Sequence, residues 1–145
     1  MMEIKIREAT LQDCDILLEW RNDEATRAAS HNIDLVEYSS HIRWLRSSLA
    51  NPNRVLFIAE ADGVPVGSVR TDFDGLETEL SWTVAPKARG KGVAKNMVKV
   101  VYNSLSGPIR AAVKIDNIAS ASVAQHVGME VVEEVDGILY FRSHV

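Results

Sequence analysis

The strongest local pattern in the sequence is Arg89-Gly90-Lys91-Gly92-Val93-Ala94, which lies between a strand pattern ending at Pro86 and a helix pattern that follows. Two glycines one residue apart permit a close-fitting turn. The helix behind the turn presents unpaired N–H groups and a partial positive charge. Together these can gather backbone donors around a phosphate or pyrophosphate. The Rossmann fingerprint needs a third glycine where this chain has Lys95. A P-loop needs an earlier glycine upstream of Lys91, in a stretch that holds Pro86 and no glycine. Two readings stay open at this point: a phosphate cradle of another kind, or a plain strand–turn–helix connection.

Periodicity gives the elements that must position this turn. Glu3 to Arg7 alternates as a strand. Thr10-Leu11-Gln12-Asp13 opens a helix with a capping hydroxyl and an acid three residues on, and the helix runs to about Asn22 with Leu11, Cys14 and Leu18 on one face. A second helix is predicted from near Asp34, with Tyr38, Ile42, Leu45 and Leu49 at helical spacing and Asn51-Pro52-Asn53 as its stop. Three strands follow: Arg54 to Ala61, Val64 to Asp72 and Leu76 to Ala85, with turns at Asp62-Gly63 and Asp74-Gly75. The glycine turn then opens a helix whose core face is Val93, Met97, Val100 and Val101, broken by Gly107-Pro108. Ile109, Ala111, Val113 and Ile115 alternate as a strand, and Asn117 caps a helix that ends at Gly128. Met129 to Val135 and Ile138 to Arg142 are the last two strands. The order β-α-α-β-β-β-α-β-α-β-β predicts an α/β fold, with a mixed, mostly antiparallel central sheet flanked by helices.

A length of 145 residues suits one domain, residues 1–145, with a core that needs no disulfide or metal. At 46% hydrophobic and 25% charged residues, wholesale disorder and coiled-coil architectures are excluded. The longest apolar run, Val55 to Ala59, is too short to span a bilayer, and the N-terminus alternates Ile4 and Ile6 with Lys5 and Arg7, unlike a signal-peptide core. A cytoplasmic location is expected. Cys14 is the one cysteine, expected as a buried inert thiol, and His31, His41, His126 and His144 are scattered, so no metal site is expected. The net charge of −4 disfavours nucleic acid as a partner. Its distribution is uneven: residues 80–115 carry +7 and no carboxylate, while the remainder holds nine basic against twenty acidic side chains. The positive stretch contains the glycine turn, which favours a small polyanionic ligand.

The run Val84-Ala85-Pro86 followed by Arg-Gly-Lys-Gly-Val-Ala at the opening of a helix resembles the acetyl-CoA motif of the GNAT superfamily of N-acetyltransferases, Q/R-x-x-G-x-G/A, with Arg89, Gly92 and Ala94 at its defined positions. Asn117-Ile118-Ala119-Ser120 and Gly128-Met129 resemble the family's second helix motif, with Met129 where Phe is usual. The resemblance implies acetyl-CoA as co-substrate. It places the backbone of Gly90, Gly92, Val93 and Ala94 on the pyrophosphate and Arg89 and Lys91 as added charge. Trp82 and Val84 would pair by backbone with the pantetheine arm, and Asn117 and Ser120 would lie beside it. Trp82 is otherwise a core residue.

Acetyl transfer to an amine needs a neutral nucleophile, a donor for the developing oxyanion and an exit for the thiolate. A Glu on the third of the three strands resembles the base position of several GNAT enzymes, so Glu79 is the expected base, with Glu77 on the same face as a recruiter of water; either is otherwise a solvated edge carboxylate. The Val84 N–H is the expected oxyanion donor. Many family members carry Tyr seven residues after the helix-opening Asn; here that residue is Ala124, so a tyrosine acid at this place is excluded. Two routes stay open: Ser120, one turn earlier, substitutes for it, or the thiolate leaves without an enzyme acid, a thiol pKa of about 8.5 making it a fair leaving group.

The acceptor is sought in Trp20-Arg21-Asn22-Asp23, Arg27 and His41-x-x-Trp44, which resemble a GNAT branch that acetylates nucleotide-linked amino sugars of the pseudaminic-acid type. A less close resemblance is to the branch that acetylates ribosomal proteins. Trp44 would stack on a base or sugar, and Arg21, Arg27 or His41 would pair with a diphosphate, with Asn22 beside them. Alternatively the tryptophans are core anchors and the arginines a solvated face. Three functions therefore stay open: an acetyltransferase of small amines, one of protein N-termini, and a non-catalytic acyl-CoA sensor. The chain is expected as a monomer or homodimer, the last strands offering a sheet edge.

Overall fold

The computed structural model describes residues 3–144. Seven strands form one sheet in the order β1-β2-β3-β4-β5-β7-β6. The strands are β1 (Ile4–Glu8), β2 (Arg54–Ala61), β3 (Val64–Phe73), β4 (Thr78–Val84), β5 (Ile109–Lys114), β6 (Glu130–Val135) and β7 (Ile138–Arg142). Every neighbouring pair is antiparallel except β4 and β5. The helices are α1 (Cys14–Asn22), α2 (Glu24–Ala29), α3 (Tyr38–Ala50), α4 (Val93–Ser104) and α5 (Ile118–Val127). This is the mixed, mostly antiparallel α/β architecture that the element order predicts.

Strand alternation assigns the helices to two faces. Arg54 on β2 donates to the Ser48 hydroxyl of α3 at 3.0 Å, so α3 lies on the face of Arg54, Leu56 and Ile58. Those residues register with Asp72, Arg70 and Ser68 of β3. The opposite face of β3 meets α4: a Cβ at Gly67 would lie 2.7 Å from the Met97 sulfur and 2.8 Å from the Thr83 carbonyl oxygen, so only glycine lets α4 approach this closely. Leu45, Ile58, Val69, Met97, Val98, Met129 and Phe141 are fully enclosed.

Several expectations need correction. Helix α3 starts at Tyr38, not near Asp34, and α2 is a separate short helix that the periodicity did not indicate. Its start is set by Asp23, whose carboxylate accepts from the Thr26 amide at 3.1 Å. The buried stripe of α1 is Cys14, Leu17 and Trp20, with Leu11 exposed; that of α3 is His41, Leu45 and Ser48, with Tyr38 and Leu49 exposed. In α4, Val98 is buried and Val100 exposed. Leu76 precedes β4 and is exposed, because the Asp74 carboxylate accepts from the amides of Leu76 and Glu77, each at 2.9 Å, and holds a turn there. Among the described residues, no helix is long and apolar enough to cross a membrane.

Candidate active site

The site begins where the sheet comes apart. Strand β4 registers with β5 only through Thr78–Ile109 and Glu79–Arg110, and the Thr78 amide donates to the Pro108 carbonyl at 3.0 Å. On its other edge β4 stays with β3 throughout, and the Ala85 amide donates to the Val66 carbonyl at 2.8 Å. Successive amides of a strand point to opposite edges. Even-numbered residues of β4 therefore turn their N–H and C=O groups toward β5, and odd-numbered ones toward β3. Past the two paired residues, the backbone groups of Trp82 and Val84 face the opening between β4 and β5. The opening leads into a cleft of about 1020 Å³ lined by both residues.

The glycine turn closes one end of this cleft. Gly90 and Gly92 hold φ of 76° and 75°, and Gly92 is the N-cap of α4. A Cβ at either would meet nothing within 4 Å, so it is the left-handed backbone that requires glycine there, and the space beside the turn is open. The first α-helical bond of α4 runs from the Asn96 amide to the Gly92 carbonyl at 3.2 Å, which leaves the amides of Val93, Ala94 and Lys95 without helical acceptors. Gly90, Gly92, Val93, Ala94 and Lys95 all line the cleft. An open concavity of unpaired donors at a helix N-terminus fits a pyrophosphate.

The charges around the turn divide differently from expectation. Arg89 lines the cleft, but its Nη2 donates to the Asp23 carboxylate and to the Thr26 hydroxyl, the latter at 3.0 Å. It therefore ties the turn to the start of α2, and with the Thr26 amide it holds the Asp23 carboxyl below the usual carboxylate range. Lys91 is exposed and outside the cleft wall; Lys95, one turn into α4, is on it.

Glu79 lies at the point where β4 and β5 separate, and it lines the cleft. Its Oε1 accepts from Arg110 Nε at 3.2 Å, and its other oxygen has no hydrogen-bond partner among the described residues. Arg110 also holds Asp74 at 2.7 Å and Glu77 at 3.2 Å. Glu77 does not join Glu79 in the cleft: it precedes β4, is largely buried, and is spent on Arg110 and on Arg142 at 2.9 Å. Across the cleft, Asn117 caps α5, its Oδ1 accepting from the Ser120 amide at 3.1 Å. Asn117, Ser120 and also Ser122 line the wall, and the Ser120 hydroxyl has no partner among the described residues. Ala124 is fully buried, and no tyrosine is on the cleft wall among the described residues.

Three of the five expected acceptor residues serve the scaffold. Asn22 donates from Nδ2 to the Val36 carbonyl and accepts from the Val36 amide at Oδ1, both at 2.8 Å. Arg27 donates to the carbonyls of Asn22 and Ile33. Neither lines the cleft; both hold the segment between α2 and α3. His41 is buried, and its Nε2 donates to the Cys14 carbonyl at 3.0 Å, tying α3 to α1. Burial outweighs that bond and the nearby Asp15, so the ring's pKa is lowered and the ring stays neutral, which does not suit a diphosphate partner. Trp44 stacks on His41 with centroids 5.6 Å apart, and both line the cleft, as does Arg21. Sequence reasoning missed Ser68, Arg70 and Ser81, which line the same wall on the sheet face of Glu79. Alternation along β3 and β4 was the signal that could have found them.

A glycine turn at the head of a helix, beside a strand edge open to a cleft, is what the resemblance to the acetyl-CoA motif implies. A family model, described as an acetyltransferase (GNAT) domain, matches residues 3–130, and the chain belongs to that family. Solved structures agree in fold. A domain from Methanocaldococcus jannaschii DSM 2661 superposes with a TM-score of 0.87 at 18% identity, covering 100% of both chains. Spermidine N-acetyltransferase from Vibrio cholerae, in complex with CoA and spermine, gives 0.83 at 12% identity, covering 96% of this chain and 94% of that one. Ribosomal-protein-alanine N-acetyltransferase from Brucella melitensis gives 0.77 at 25% identity, covering 97% and 99%. No curated protein sequence matches the chain.

Proposed function

We propose that this chain is, as one domain, an acetyl-CoA-dependent N-acetyltransferase of a primary amine, with the amino group of a nucleotide-linked amino sugar as its acceptor. The observation that carries the reaction is the parting of β4 from β5 beside the glycine turn: the unpaired backbone of Trp82 and Val84 lies in one cleft with the open amides of α4. A cofactor with a pyrophosphate and an amide-bearing arm fits both. The amides of Gly92, Val93 and Ala94 would hold the pyrophosphate, with Lys95 adding charge. Trp82 and Val84 would bond the arm as a strand would, with Asn117 on its other side.

Bound there, acetyl-CoA supplies an activated thioester carbonyl. A free alkyl ammonium has a pKa of roughly 10 and must lose its proton before it can attack. Glu79, with one oxygen anchored by Arg110 and the other open, accepts that proton directly or through a water. The Val84 N–H faces the opening as the donor for the developing oxyanion. The Ser120 hydroxyl is the donor toward the departing sulfur. A sugar or base ring suits Trp44, the aromatic face on the acceptor wall.

A second reading, acetylation of a protein N-terminus, is favoured by the likeness to the Brucella ribosomal-protein-alanine enzyme. Thiol release from acetyl-CoA with a panel of amines, N-terminal peptides included, tests both. Release stimulated most by the nucleotide-linked amino sugar is expected. Tight CoA binding without stimulation by any amine would refute the enzyme and leave a sensor.

A further inference from the structure

The charged side chains on the cleft wall are unbalanced. Arg21, Arg70, Arg89, Lys95 and Lys114 face a single carboxylate, Glu79, among the described residues. Arg89 sits in the glycine turn and Lys95 in the first turn of α4 behind it, and Lys114 donates to the Ala28 carbonyl. Arg21 at the end of α1 and Arg70 on β3 stand apart from these. Arg70 shares its sheet face with Ser81 and Glu79. Its one carboxylate partner among the described residues, Asp72 at 3.0 Å, is also held by Arg54 at 2.6 Å, so two guanidiniums share one negative charge.

Arg21 is the more telling of the two. Its Nη2 donates to the Asn32 carbonyl at 2.7 Å, while its Nη1 is buried and has no partner. Neither Arg21 nor the neighbouring Arg27 has an ion pair among the described residues. Burial first, and Arg27 second, lower the Arg21 pKa. Withdrawing a guanidinium from water without a counter-charge is costly. Arg21 lines the cleft, and an oxyanion delivered beside its guanidinium supplies the missing counter-charge.

We propose that Arg21, together with Arg70, anchors a negatively charged group of the acceptor, so that the acceptor is an anionic amine and not a polyamine. This rests on the N-acetyltransferase reading and is independent of the resemblance to amino-sugar enzymes. A phosphate and a carboxylate present the same chemistry to a guanidinium fork. A polycation would meet Arg21, Lys95 and Lys114, which have no carboxylate partner among the described residues, and one carboxylate, Glu79, which Arg110 already holds.

The test uses matched acceptors with saturating acetyl-CoA: glucosamine 6-phosphate against glucosamine, alanine against alaninamide, a nucleotide-linked amino sugar, and spermidine. The anionic member of at least one pair is expected to have the higher kcat/KM, and which pair it is tells phosphate from carboxylate. Arg21→Gln is expected to raise KM for the anionic acceptor by about 10- to 100-fold, while kcat and the neutral member's kcat/KM stay nearly unchanged. Equal use of charged and neutral members, efficient use of spermidine, or an equal loss for all acceptors in Arg21→Gln would overturn the proposal. CoA affinity reports whether the variant is folded. If it is not, Arg70→Gln and the salt dependence of wild-type KM, rising for the anionic member only, decide instead. If no amine stimulates thiol release, the enzymatic reading fails. Binding of the same pairs to the CoA-saturated protein, followed by tryptophan fluorescence, then settles the anion anchor: charged members must bind more tightly, and Arg21→Gln must remove the difference.

Discussion

The two walls of the cleft are made of different material. The wall proposed for the cofactor is backbone: positive-φ glycines, unpaired amides at the head of α4, and a strand edge left bare where β5 leaves β4. The wall proposed for the acceptor is side chain: Arg21, Trp44, Ser68, Arg70 and Ser81, held by a scaffold of Asn22, Arg27 and His41. Backbone groups are fixed by the fold and are the same whatever the residue, so that wall presents one constant surface. Side chains differ with each sequence, so under the proposed function the other wall sets which amine enters. Glu79 stands at the seam, on the last residue of β4 still paired to β5.

Breaking the cofactor wall should have the largest effect. Gly92→Glu places a side chain in a left-handed backbone and a negative charge among the amides that face a phosphate; CoA binding measured by calorimetry is expected to vanish. Gly92→Ala separates the two causes. Open space surrounds the Cβ position, so only the backbone cost of about 1–2 kcal/mol remains. Retained CoA affinity in Gly92→Glu would refute the phosphate site. At the seam, Glu79→Gln keeps size and loses basicity. Its kcat/KM for the amine should fall about 100-fold or more, with CoA affinity unchanged. An unaltered pH–rate profile would remove Glu79 from the base role.

The same contrast explains what could be read in the sequence. A glycine pair before a helix is a local cause of a local backbone shape, and its position in the chain is enough. The place of Glu79 followed from the strand pattern together with the resemblance to a family base position. The acceptor residues required knowing what each side chain would find across the fold. Asn22 meets Val36, fourteen residues on, and His41 meets a carbonyl of α1. Neither partner is visible from residue type. The helix faces failed for a related reason. The spacing of α1 and α3 was right but the phase was not, because His41 and Ser48 are buried with partners, Ser48 accepting from Arg54, while the apolar Tyr38 and Leu49 are exposed. Hydrophobicity marks a stripe only when buried positions are apolar. Glu77 was misplaced because the Asp74 turn delays the start of β4 by two residues.

Damage to the scaffold of the acceptor wall should spare the cofactor wall. Asn22→Ala removes two hydrogen bonds to the Val36 backbone and leaves that amide and carbonyl unpaired. The cost is about 2 kcal/mol, a fall in Tm of roughly 4–8 °C for a chain of this size. Affinity for CoA should stay at the wild-type value while KM for the amine rises. A matching loss of CoA affinity would mean that the two walls do not form independently.

The smallest effect expected is a pH dependence carried by His41. Its folded pKa lies below the unfolded value of about 6.5, because burial opposes the charge that the bond to Cys14 and the proximity of Asp15 would otherwise favour. Above the unfolded pKa both states are neutral at this ring and it adds no slope. As the pH falls below that value, the unfolded chain takes up a proton that the folded one refuses, so stability declines toward the lower folded pKa. Thermal unfolding between pH 7 and pH 5 should show this decline in wild type. In His41→Gln it should flatten, at the price of a lower Tm throughout. A variant slope equal to that of wild type would assign the pH dependence elsewhere and would return His41 to the residues available for the acceptor.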